Sequence, residues 1–91
     1  MKIIYIYAKE DMSEDEIHDY LAEKLNFPDY YGRNLSALYD LLTEMTEAVR
    51  IDFVVGKEMC RIEAYLRRMY EVLCDVAEEN PNIKTDYIIE A

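Results

Sequence analysis

Apolar residues come along this chain in two rhythms, and the switches between them divide it into elements. Residues 2–7, Lys-Ile-Ile-Tyr-Ile-Tyr, are a nearly unbroken run of β-formers. Such continuity predicts a parallel strand covered on both faces. After a charged connection, Ser13-Glu14-Asp15-Glu16 forms a capping box. The Ser13 hydroxyl is expected on the amide of Glu16, with the Glu16 side chain returning the bond. Ile17, Tyr20, Leu21 and Leu25 then give the apolar face of a helix ending near residue 25. His18, Asp19, Ala22 and Glu23 are expected to face outward, with His18 an ordinary surface histidine.

A second helix is predicted over 34–47. Leu35, Leu38, Tyr39, Leu41, Leu42 and Met45 form its buried stripe. Arg33, Ser36, Asp40 and Glu44, with Ala37 beside them, recur every three or four residues and share the opposite face. Asp40 is the only carboxylate in the middle of this helix, and Asn34 is its expected N-cap. Residues 49–55 alternate as a strand, with Arg50 and Asp52 in the first half suggesting a sheet edge. Residues 58–79 read as one long helix on Met59, Ile62, Leu66, Met69, Leu73 and Val76, widened by Tyr65, Tyr70, Val72 and Ala77. Asn80-Pro81-Asn82 stops it, and residues 85–90 form a last strand.

The order β-α-α-β-α-β predicts a single α/β domain over 1–91. It has a three-stranded parallel sheet with right-handed crossovers and three to four helices in a three-layer-like arrangement. The isoleucine-rich first strand is expected in the middle of the sheet. Between the first two helices lies the loop 26–34, Asn-Phe-Pro-Asp-Tyr-Tyr-Gly-Arg-Asn. Pro28 fixes one dihedral and Gly32 permits a positive one, so two sharp turns fit into few residues. Loops held on a rigid scaffold are where binding groups concentrate.

Charge narrows the partners. Twenty acidic against ten basic side chains give −10. Nucleic acid as a direct ligand and an anionic membrane surface would both be repelled, whereas a cationic protein would be attracted. Nine tyrosines and no tryptophan supply aromatic surface with hydroxyls. Cys60 and Cys74, if one helix carries both, lie about 21 Å apart, too far for a disulfide. Free thiols fit a reducing compartment. No metal-ligand spacing, glycine-rich phosphate loop or nucleophile–base pair stands out. The expectation is therefore no catalytic residues, no metal, no cofactor and no enzyme. Residues 1–8 are too short an apolar run for a signal peptide, and no segment approaches a membrane span, so the cytoplasm is the expected compartment. Oligomeric state is left open.

The run Pro28-Asp29-Tyr30-Tyr31-Gly32-Arg33-Asn34-Leu35-Ser36-Ala37-Leu38-Tyr39-Asp40-Leu41-Leu42, continued by Thr43, resembles the signature of the barstar family of ribonuclease inhibitors. The resemblance implies an intracellular antidote that plugs the active site of a cationic, barnase-like ribonuclease. It implies contacts by Tyr30, Asp40 and Asp75, with Asp40 in the pocket that receives an RNA phosphate. Tyr31, Gly32, Arg33, Asn34, Ser36, Ala37, Thr43 and Glu44 complete the expected partner-binding set. Three positions depart from the family pattern. Ser36 replaces an aspartate, Arg33 a glutamate and Tyr39 a tryptophan. The first two lower the negative charge of the binding face. They favour the alternative of an acidic interaction module or orphan antitoxin for a basic partner that is not a ribonuclease.

Overall fold

A computed structural model of the chain describes residues 1–9, 11–56 and 61–90. Its elements are β1 (Lys2–Tyr7), α1 (Glu14–Leu25), α2 (Leu35–Thr43), β2 (Val49–Val55), α3 (Glu63–Glu79) and β3 (Ile83–Ile89). All strands are parallel, in the order β1-β2-β3.

That order corrects the expected placement of strands, because β2 is central and β1 is an edge. The apolar run in β1 misled because half of it faces solvent. Ile4 and Ile6 are buried, while Ile3, Tyr5 and Tyr7 stay 52, 44 and 51% exposed. The polar residues that suggested an edge for β2 satisfy each other instead. Arg50 Nε lies 3.0 Å from both carboxylate oxygens of the buried Asp52, so the central strand carries a charge without leaving it unpaired.

The core forms on one face of the sheet. Ile4, Ile6, Ile51 and Phe53 join Ile17, Leu21, Leu38, Leu42, Leu66 and Leu73 in one apolar cluster. Val54 points to the other face and is buried outside that cluster. The helices of the described residues therefore stack against one side only, giving two layers rather than three. α3 packs on β3 and β2, and α2 packs on α3.

Helix ends explain the remaining boundaries. Ser13 caps α1 as expected, its Oγ accepting from the Glu16 amide at 3.2 Å. The return bond differs, since the Ser13 hydroxyl donates to Glu16 Oε1 at 3.3 Å. Tyr20 is exposed rather than core, its hydroxyl donating to the Tyr5 carbonyl at 3.2 Å beside the β1 edge. α2 stops at Thr43, four residues before the expected end. The cause lies far along the chain. Asn80 ends α3, and its buried Nδ2 donates to the carbonyls of Leu42 at 2.8 Å and Met45 at 2.9 Å. A side chain thus supplies partners to the last carbonyls of α2. Asn80→Ala should cost about 2 kcal/mol in a urea titration, since buried carbonyls lose their donor.

α3 starts at Glu63, with Arg61 and Ile62 in a turn. The parts of the long-helix expectation that fall on Glu58, Met59 and Cys60 lie outside the described residues. β3 begins at Ile83, two residues earlier than expected, because Ile83 pairs with Val49 and is buried.

Candidate functional site

The loop is built by backbone rules that the sequence only partly reveals. α1 ends on Asn26, whose φ of 56° is left-handed, a conformation asparagine tolerates. The Phe27 amide reaches back to the Ala22 carbonyl at 2.9 Å. Pro28 opens a turn closed by the Tyr31 amide on its carbonyl at 3.0 Å. The positive dihedral then falls on Arg33, φ 51°, and not on Gly32 as expected.

Gly32 serves a different purpose. A Cβ there would sit 3.0 Å from Asn34 Nδ2. Asn34 needs that space: its Nδ2 donates to the Gly32 carbonyl at 3.1 Å while Oδ1 caps α2 on the Ala37 amide at 2.8 Å. One side chain holds both the loop and the helix start. With Asn80 at the other end, α2 is fixed at both termini.

The two tyrosines of the loop part company. Tyr30 is 85% exposed. Tyr31, also in the expected partner-binding set, is buried, its ring tilted against Phe27 at 4.8 Å between ring centres. It meets His18, whose expected surface placement the structure corrects. His18 is fully buried, with Nδ1 2.6 Å from the Tyr31 hydroxyl and Nε2 2.6 Å from the Tyr65 hydroxyl. A neutral imidazole matches this pair, donating at one nitrogen and accepting at the other. Burial lowers the His18 pKa from 6.5 against the pull of Asp15, Glu14 and Asp19. Burial likewise raises the Tyr31 phenol well above its usual range. The sequence did carry a signal, because His18 stands three residues before Leu21 and seven before Leu25, on the same helical face.

Among the other expected positions, Gly32, Arg33, Asn34, Ser36, Asp40, Glu44 and Asp75 are exposed, and Ala37 and Thr43 are half-buried. Arg33 turns toward α1, its Nε 2.6 Å from Asp19 Oδ1. It therefore leaves the stripe expected to join it to Ser36 and Asp40. Ser36, Tyr39 and Asp40 line a shallow concavity of about 280 Å³ with Leu35 and Val72.

Two acids from α3 extend this patch. The Tyr39 hydroxyl donates to Glu79. The Tyr39 pKa is raised, first by that bond, then by desolvation and by the charges of Glu79, Asp75 and Asp40. Glu79 thus bonds the phenol, and the charges of Asp75 and Asp40 act on it as well. Glu79 was missed by sequence reading, although it lies four residues after Asp75 on the same helical face. Carboxylates presented together to solvent form a receptor for cationic side chains. Among the described residues, no group of three or more His, Cys, Asp or Glu is arranged to hold a metal ion. None of their helices is long and apolar enough to cross a membrane.

Fold and face place the chain among small parallel α/β domains that offer a rigid loop and an acidic helix edge to solvent. The family model described as Barstar (barnase inhibitor) matches residues 1–87, and the chain belongs to that family. A Bacillus subtilis (strain 168) protein named "Putative ribonuclease inhibitor YrdF" is 51% identical over 43 residues, 47% of this chain and 47% of that protein. The chain therefore matches about half the length of this curated relative.

Proposed function

We propose that this protein inhibits a small, barnase-like ribonuclease by laying residues 26–34 and α2 across its active-site cleft. Asp40 is the phosphate mimic. The observation that carries this reading is an exposed carboxylate on a helix held at both ends by Asn34 and Asn80. A ribonuclease must present cations to a phosphodiester and to its charged transition state. A carboxylate held in position offers the same charge and acceptor geometry at little ordering cost. Asp75 and Glu79 add negative potential beside it, and Tyr30 supplies an exposed aromatic for the rim of the cleft. Inhibition of this kind uses no cofactor and no turnover.

The chain's charge of −10 gives this reading a kinetic signature. Stopped-flow association with a basic ribonuclease should slow steeply as salt rises, while dissociation changes little. A salt-independent association rate would remove steering from the account.

A second reading keeps the acidic face and changes the partner. The neutral Ser36 and the Arg33–Asp19 ion pair favour it. Ser36 leaves the Asp40 face with one carboxylate fewer than the family pattern, and the ion pair neutralises Asp19 beside the loop. A pull-down from the source cells discriminates between the two. Capture of a non-nuclease basic protein, lost with Asp40→Ala, would support this second reading.

A further inference from the structure

Among the described residues, one face of the sheet carries no helix, and its side chains are ordered in a way the ribonuclease reading does not use. Strand register arranges them in rows. Ile3, Arg50 and Lys84 align in the first row, and Tyr5, Asp52 and Asp86 in the second. Tyr7, Val54 and Ile88 form the third. The column contributed by β1 is apolar from end to end, with Met1 68% exposed at its start and Ile3, Tyr5 and Tyr7 each about half exposed. The other two columns hold a basic row beside an acidic row. On a chain of net charge −10, this patch sums to zero, Arg50 and Lys84 balancing Asp52 and Asp86.

We propose that this open sheet face is a docking surface for a second copy of the same chain. The pattern is its own complement. Consider a two-fold axis lying in the face and running across the strands between the first two rows. It places Lys84 over Asp86 of the other copy, while Arg50 meets the strand position of an Asp52 that is buried and already held by its own Arg50. The same axis sets Ile3 against Tyr5 and Met1 against Tyr7, so the β1 columns close into one apolar stripe. An isologous contact requires this self-matching, and two sheets stacked face to face at about 10 Å provide its geometry. A cationic partner finds no net attraction here, because the acids already face bases: Arg50 lies 3.0 Å from Asp52 and 3.7 Å from Asp86. A second acidic copy, repelled elsewhere, meets no net repulsion on this patch.

The face is small. Three strands at roughly 4.8 Å and three rows at roughly 6.8 Å span about 14 by 20 Å. An interface of this size is a weak one, and association is expected over roughly 10 µM to 1 mM. α2 belongs to the helical layer on the opposite side, so both Asp40 faces stay open in the dimer.

Sedimentation equilibrium of the full chain tests this. The expected result is a mass rising with concentration from 10.8 kDa toward twice that value. Tyr5→Glu, a change at a solvent-facing position, should weaken association at least tenfold, and Asp40→Ala should leave it unchanged. Lys84→Glu should also weaken it, and the double change Lys84→Glu with Asp86→Lys should restore it, since the swapped face again matches itself. A chain that remains 10.8 kDa at 1 mM overturns the proposal and leaves the face to some other protein. Dimers unaffected by Tyr5→Glu, or unresponsive to the charge swap, overturn it as well.

Discussion

His18→Ala is expected to destabilise the protein by about 2–4 kcal/mol, seen as a lowered urea midpoint at pH 7. The imidazole is fully buried and holds two hydroxyls at 2.6 Å. Its removal leaves a cavity and strips the buried Tyr31 hydroxyl of its partner. The loss reaches function through position, because Tyr31 anchors the loop that presents Tyr30, and His18 ties that loop to α1 and α3. His18→Gln, which keeps hydrogen-bonding capacity, should recover part of the stability. An alanine variant as stable as the parent would show that the Tyr–His–Tyr bridge contributes nothing.

The same residue sets a pH dependence. Its folded pKa lies below the ordinary value of 6.5. The unfolded chain therefore binds more protons in this range, and stability must rise with pH. The stability of the neutral imidazole is present above 6.5 and is lost as pH falls through 6.5 toward the lowered folded pKa. Urea midpoints between pH 7.5 and 5 should decline for the parent, and less steeply for His18→Gln.

The second large effect is on binding. Asp40→Ala should weaken binding to a barnase-like ribonuclease by roughly 30- to 3,000-fold, the cost of leaving a cationic pocket without its counter-charge. Most of the loss should appear as faster dissociation. Glu14→Ala, at the exposed start of α1, should change affinity less than about twofold. The contrast locates the binding face, because both changes remove one negative charge and lower the net attraction alike. Equal losses would mean that total charge matters and that the α2 face does not.

The elements whose boundaries depend on nearby residues were legible in the sequence. β1 and β2 run over the expected residues, and Ser13 and Asn34 cap the helices they were expected to cap. The misjudged features depend on residues distant in the chain. Nothing near Thr43 announces that Asn80, 37 residues later, binds its carbonyl and closes α2. The strand order turned on which face of β1 meets solvent, and Ile3, Tyr5 and Tyr7 have the same residue types as a buried strand. Arg33 takes a left-handed conformation beside a glycine that does not. A glycine in a loop suggests dihedral freedom, but here it makes room for the Asn34 amide. His18 was misplaced by residue type, since its spacing was that of a core residue. At the candidate site, Asp40 stands out in the sequence as the one carboxylate in the middle of an apolar helix, and the fold leaves it exposed. Glu79 does not stand out, because its place beside Tyr39 depends on how α3 crosses α2.

The central claim is inhibition through the Asp40 face. It is tested most directly by titrating a barnase-like ribonuclease with this protein and following RNA cleavage. The account predicts that cleavage falls linearly and stops near one equivalent, and that Asp40→Ala fails to stop it at the same ratio. Undiminished cleavage at a tenfold excess of the folded parent protein would contradict it.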